Sequence, residues 1–187
     1  MKKVILNLAV TLDGFVEGPN GEIDWCSMDN EQENQAVDAH FDQFLDGIDT
    51  IFYGRVSYDM WGEHQPAENA PPAEKKLWKG VHAKRKYVFS NKPKNSSNAK
   101  YITSNIKDQV LAIKSQPGKD IWLYGGAGLV TSFMNMGLVD TFLLAIHPVV
   151  LGAGKPLFTD IKNRMDLKLK QVTKSESGVI LLEYDTI

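Results

Sequence analysis

The stretch Ile121-Trp-Leu-Tyr-Gly-Gly-Ala-Gly-Leu-Val-Thr-Ser-Phe-Met134 constrains the fold more than any other. Its first four residues, ending at Tyr124, read as a buried strand. Leu129, Val130, Phe133 and Met134 then recur on one face of a helix, and Gly137 stands where a helix ends. The unit is therefore strand, glycine turn, helix. Glycines let a backbone turn sharply and approach a ligand closely. A helix start presents free N–H groups and a positive dipole end. Together they suit a phosphate, although a ligand-free tight turn has the same pattern, and Gly-Gly-Ala-Gly is neither a full dinucleotide fingerprint nor a P-loop.

The flanking sequence repeats this arrangement. Residues 3–10 are apolar with one polar break at Asn7, which predicts a central strand. A turn at Thr11-Leu12-Asp13-Gly14-Phe15 leads into a long loop carrying Trp25, either a lid over a ligand or an aromatic folded back on the core. Val37, Phe41, Phe44, Leu45 and Ile48 form the stripe of a helix over 31–46. A strand over 50–53 breaks at Gly54-Arg55-Val56-Ser57 before a short helix at 58–61. A helix over 74–81 and a strand over 87–89 follow, ending at Ser90-Asn91-Lys92-Pro93. A strand at 101–103, a helix from Ile106, the stretch above, a strand over 140–146, a glycine loop over 147–154 and a hairpin about Ser175-Glu-Ser-Gly178 complete the chain. The expected fold is one three-layer α/β domain over 1–187, with a mostly parallel central sheet and antiparallel C-terminal strands. Ligands in such sheets sit at the carboxyl ends of strands. Three glycine or polar junctions fall there, at Gly54-Arg55, Ser90-Asn91-Lys92 and Gly125-Gly126-Ala127-Gly128, and two bring a cation.

Composition removes several function classes. A net charge of −2 makes no electrostatic case for nucleic acid or an anionic membrane. No apolar run reaches the ~18 residues of a membrane span. Asn7 and Asp13 interrupt the apolar N-terminus, so no signal peptide is expected. The single cysteine, Cys26, fits a reducing cytoplasm. The four histidines lack metal-ligand spacing, and no Gly-x-Ser-x-Gly elbow or P-loop occurs. Phosphate-cradling turns with cations and no evident nucleophile suit hydride transfer, in which the cofactor carries the reaction.

Read together, Thr11-Leu12-Asp13-Gly14-Phe15, Tyr53-Gly54-Arg55-Val56-Ser57-Tyr58, Val88-Phe89-Ser90-Asn91-Lys92, Tyr124-Gly125-Gly126-Ala127, Gly137-Leu138-Val139-Asp140 and the segment from Pro148 to Phe158 resemble the dihydrofolate-reductase-like superfamily. The match spans nearly the whole chain in motif order and is nearest the branch with the riboflavin-biosynthesis reductase domain. The resemblance implies an NADPH-dependent reductase acting on a small heterocyclic substrate. It implies that Arg55, with Ser90, Asn91 and Lys92, holds the adenosine 2′-phosphate, in keeping with the affinity of guanidinium and ammonium for that dianion. It places Gly54, Val56 and Ser57 beside them, Gly125, Gly126, Ala127, Gly128 and Leu129 against the pyrophosphate and nicotinamide, and Ala9 and Val10 against the nicotinamide. Two acids are candidate proton donors: Asp38 on the long helix, where one residue of loop length would substitute Val37, and Asp13, which could equally be a local turn cap. The zinc deaminase domain often fused to the riboflavin enzyme has no counterpart in these residues. A non-catalytic nucleotide- or pterin-binding module and an NADH-preferring reductase are the competing readings. The resemblance also implies a homodimer, for which the C-terminal hairpin and Val149-Val150-Leu151 are candidate surfaces; both could instead complete the core.

Overall fold

The structure, a computed structural model, describes residues 1–26 and 31–187, with residues 31–38 described as helical backbone only. An eight-stranded sheet contains β1 (Val4–Thr11), β3 (Ile48–Gly54), β4 (Arg85–Phe89), β5 (Lys100–Ile102), β6 (Asp120–Gly125), β7 (Thr141–His147), β9 (Leu167–Lys174) and β10 (Ile180–Thr186), in the order β5-β4-β3-β6-β1-β7-β10-β9. The six from β5 to β7 run parallel, and β10 and β9 close that edge antiparallel. β1 lies between β6 and β7, the central position its apolar run predicts. A second, two-stranded sheet joins β2 (Phe15–Glu17) to β8 (Lys155–Pro156), where the sequence suggested only a turn and a loop.

Alternation along the strands divides the core. Leu6, Phe52, Leu123 and Phe142 point to one side, where Val110 and Ile113 of α4 (Ile106–Lys114) and Val130 and Phe133 of α5 (Ala127–Asn135) cover them. Ile51, Tyr53, Trp122 and Leu143 point to the other, under α1 (Glu31–Gly47) and α3 (Pro72–His82). Phe41 and Phe44 of α1 meet the Trp122 ring edge-on at 5.6 and 5.4 Å. Val37 lies outside the residues whose side chains are described. α5 ends as Gly137 predicts: at φ 65° it donates to Met134 O, and Leu138 N donates to Phe133 O, which satisfies two terminal carbonyls.

The two ends of the sheet differ. At the amino end, Lys2 Nζ pairs with Asp49 at 2.8 Å and Lys114 Nζ with Asp140 at 2.6 Å, with both lysines buried. Each lysine is buried while its carboxylate is about a third exposed, so removing either carboxylate would leave a buried ammonium without its partner. The carboxyl end is formed by loops and turns. The hairpin edge is also open: Leu169 and Val172 of β9 are half exposed, so this strand does not complete the core. Among the described residues, no helix is long and apolar enough to cross a membrane.

Candidate active site

The carboxyl ends of β4, β3 and β6 lie side by side, so the three junctions expected from the sequence meet. Two of them touch through their backbones. A Cβ on Gly54 would lie 3.2 Å from Gly125 O and 3.7 Å from Leu129 Cβ. Gly125 and Gly126 have φ 111° and 71°, left-handed values that L side chains rarely adopt. A Cβ on Gly126 would lie 3.3 Å from Ser57 Oγ. Gly54 is extended and the helix starts at once: α2 (Arg55–Ser57) continues as a π-helical turn, Tyr58–Gly62. The helix thus begins three residues before the start at Tyr58 that the sequence predicts, because Arg55-Val56-Ser57 turn helical directly after the extended Gly54. Gly126 O accepts from Leu129 N at 2.9 Å and Val130 N at 3.1 Å, which begins α5. The first N–H groups of α5 thus have no carbonyl from a preceding turn. In front of them, a Cβ at Gly128 would meet nothing within 4 Å. Closed backbone contacts behind and open space before a helix start fit a pyrophosphate.

Cations border this cradle. Arg55 Nη1 and Lys94 Nζ each donate to the Asp59 carboxylate at 2.8 Å. Ser90 closes its own turn: its Oγ accepts from Lys92 N at 3.0 Å and donates to Lys92 O at 3.2 Å. Asn91 and Lys92 project into solvent. Val56 is also exposed, beside Arg55.

The ends of β1 and β7 carry different groups. Val10 is 3% exposed and belongs to the core beneath α5, whereas Ala9 points to the opposite face, half-buried. Adjacent strand residues cannot offer side chains to one ring, so of the expected pair Ala9 alone presents its side chain on the α1 face. Asn7 shares that face; its O accepts from Trp122 Nε1 at 3.0 Å, but its Nδ2 is buried without a partner. Trp25 settles onto the end of β7, its ring edge-on to His147 at 5.4 Å, and its Nε1 is also buried and unpaired. Cys26 Sγ lies 3.9 Å from His147 Nε2. Burial raises the Cys26 thiol pKa and lowers that of the His147 imidazole. Tyr124 stacks obliquely on Tyr53 at 4.8 Å and on Trp122 at 4.9 Å, and burial keeps its phenol protonated. The Tyr53 hydroxyl is a third buried group without a partner.

The two candidate acids fare differently. Asp13 accepts from Thr11 Oγ1 at 2.6 Å, Gly152 N at 2.7 Å and Leu151 N at 3.3 Å. The Thr11 hydroxyl first, then these backbone donors, hold its carboxyl below the usual range. This geometry is that of a clamp joining the β1 turn to the loop after β7, the local-cap alternative. The Asp38 side chain lies outside the described residues.

The sequence did not single out Asp59, Lys94 or His147. Asp59 and Lys94 stand in ordinary polar context, and their meeting depends on the loop after β4. In the sequence, His147 has only the spacing that excludes a metal site. Asn7 carried a usable signal, as the lone polar residue in a buried apolar strand.

The chain is 54% identical over 184 residues to YyaP of Bacillus subtilis (strain 168), described as uncharacterised, covering 98% of this chain and 94% of that one. A putative riboflavin biosynthesis protein from Shewanella sp. PV-4 superposes with a TM-score of 0.77 at 17% identity, over 100% of this chain and 99% of that one. A pyrimidine reductase-like protein from Corynebacterium diphtheriae superposes with a TM-score of 0.67 at 16% identity, over 100% and 92%. The fold is therefore dihydrofolate-reductase-like. The RibD C-terminal domain model matches residues 2–181, nearly the whole of the sheet and every junction described above, and the chain belongs to that family.

Proposed function

We propose that the chain, working as one unit over 1–187, is an NADPH-dependent reductase that passes hydride to a C=N or C=O of a small pyrimidine- or pterin-like heterocycle. One observation carries this reading: the backbones of β3 and β6 meet at Gly54, Gly125 and Gly126, with Arg55 beside them and open space at Gly128. The family and the pyrimidine reductase-like neighbour support it. NADPH, when bound, supplies the hydride. The chain's work is binding and orientation. Gly54, Ser57 and Gly125 to Leu129 take the pyrophosphate, with Val56 beside the adenosine. Arg55, Asn91 and Lys92 take the 2′-phosphate, and the turn that Ser90 closes presents Lys92. Ala9 and the end of β1 lie under the nicotinamide. Asn7 Nδ2 and Trp25 Nε1 offer unused donors on the same face to the oxygens of a planar heterocycle, since buried polar groups need partners. Asp13 positions the Gly152 loop, and the proton comes from Asp38 or from water. The setting is a reducing cytoplasm, and a second copy of the chain is the proposed cover for Leu169 and Val172 on β9; sedimentation at rising concentration checks that dimer.

The test is titration of NADPH and NADH into the protein, followed by tryptophan emission and energy transfer to the nicotinamide. NADPH oxidation is then followed with a panel of pyrimidines and pterins. Saturable NADPH binding and substrate-dependent oxidation are expected. Binding with no oxidation across the panel would favour a binding module, and binding of neither nucleotide would remove the cofactor assignment.

A further inference from the structure

The cations beside the glycine cradle are already partnered by a group of the chain itself. Arg55 lies one helical turn before Asp59, and Lys94 reaches the same carboxylate from the loop after β4. Arg55 holds Oδ2 and Lys94 holds Oδ1, so one anion bridges two cations from separate elements. The Lys94 hydrogen bond first, and then Arg55, hold the Asp59 carboxyl below its usual range, so it is ionised at neutral pH. The three side chains are 42, 57 and 29% exposed for Arg55, Lys94 and Asp59. Exposed pairs of this kind are weakly held and exchange readily. A phosphate monoester is the stronger competitor, with nearly two charges and three acceptor oxygens that match a guanidinium fork.

We propose that Asp59 is an internal stand-in for the cofactor's 2′-phosphate, bridging Arg55 and Lys94 until that phosphate displaces it. The inference rests on the NADPH reading of the cradle and adds two residues to it. Lys94 belongs to the phosphate seat, and Asp59 sets its threshold. A nucleotide without a 2′-phosphate leaves the bridge closed. A nucleotide with one must open it, and the displaced carboxylate then repels the bound phosphate at short range.

The experiment compares wild type, Asp59→Asn and Lys94→Ala at one ionic strength, with NADPH and NADH as separate ligands. Both substituted positions are on the surface, so folding is undisturbed. Asp59→Asn is expected to bind NADPH about tenfold more tightly, the effect of one like charge removed at close range near the surface. NADH affinity stays unchanged, and Lys94→Ala weakens NADPH alone. Weaker NADPH binding by Asp59→Asn would overturn the proposal, because Asp59 would then organise the cations rather than occupy their seat. Equal shifts for both nucleotides would also overturn it, as would loss of NADH alone, the behaviour of a ribose-hydroxyl acceptor. If neither nucleotide binds any of the proteins, the reductase reading fails by itself, and inorganic phosphate is titrated into the same set by heteronuclear NMR. Tighter phosphate binding by Asp59→Asn would keep the bridge proposal; binding in none would sink it too.

Discussion

The two halves of the site are built differently. On the β3–β6 side the backbone makes the cradle: glycines at Gly54, Gly125 and Gly126 let two turns touch, and charged side chains border them in the open. On the β1–β7 side the side chains make the wall: Asn7, Trp25, Cys26 and His147 are buried or half-buried, and two of them hold donors with no partner. A backbone cradle needs only an anion of the right shape. A wall with unpaired donors needs particular acceptors, because an unmet buried donor costs about 1–3 kcal/mol. In the proposed reading the first half takes a common cofactor and the second a particular substrate.

Gly125→Val should break the backbone half most severely. A left-handed φ costs an L residue about 1–2 kcal/mol, and extra methyls in a packed site cost about 1–3 kcal/mol. Thermal melting should fall by the equivalent of these energies, and NADPH binding should weaken because the displaced turn no longer presents its backbone N–H groups to the pyrophosphate. Next comes Arg55→Ala. Hydrogen bonds to charged groups contribute about 1.5–3 kcal/mol, so NADPH should bind about ten- to a hundredfold more weakly. Parallel NADH titrations should be unchanged, which separates loss of the phosphate contact from loss of the site.

Asn7→Leu addresses the other half. Removing a buried, unpaired amide should leave the melting temperature unchanged or raised, while KM for the heterocycle rises and the NADPH Kd holds. A rise in both constants would join the two halves into one. Asp13→Asn gives a smaller effect. A general acid contributes about a hundredfold or more to rate; a clamp on the Gly152 loop should cost less than that in kcat, and a larger loss would make Asp13 the proton donor after all.

The smallest effect is on pH dependence. Burial lowers the His147 pKa from its ordinary 6.5. Between the folded value and 6.5 the unfolded chain binds more protons, so stability rises with pH across that window. The contribution is whole above 6.5 and is lost as pH falls through the folded value. Denaturation midpoints at a series of pH values should show this slope, and His147→Phe should flatten it.

The same contrast explains what could be read from the chain. Gly125-Gly126 and Gly54-Arg55 are local patterns with local causes, so the cradle and its strands were legible, and the Gly137 helix end came out as its residue type demands. Asp59 and Lys94 lie 35 positions apart in the chain and meet through a loop that has no periodicity to read. Trp25 and His147 likewise meet only because a long loop crosses the end of β7. Val10 and Asp13 show a different limit. Their neighbours in sequence suggested a role, but strand alternation turned Val10 into the core, and the loop after β7 engaged the Asp13 carboxylate.

The most direct measurement is the crystal structure of the protein with NADPH bound. The pyrophosphate is expected against Gly125 to Gly128, the 2′-phosphate on Arg55 and Lys94 with Asp59 turned away, and the nicotinamide over Ala9 facing Asn7 and Trp25. A nucleotide bound elsewhere, or in this cleft with its 2′-phosphate away from Arg55, would contradict it.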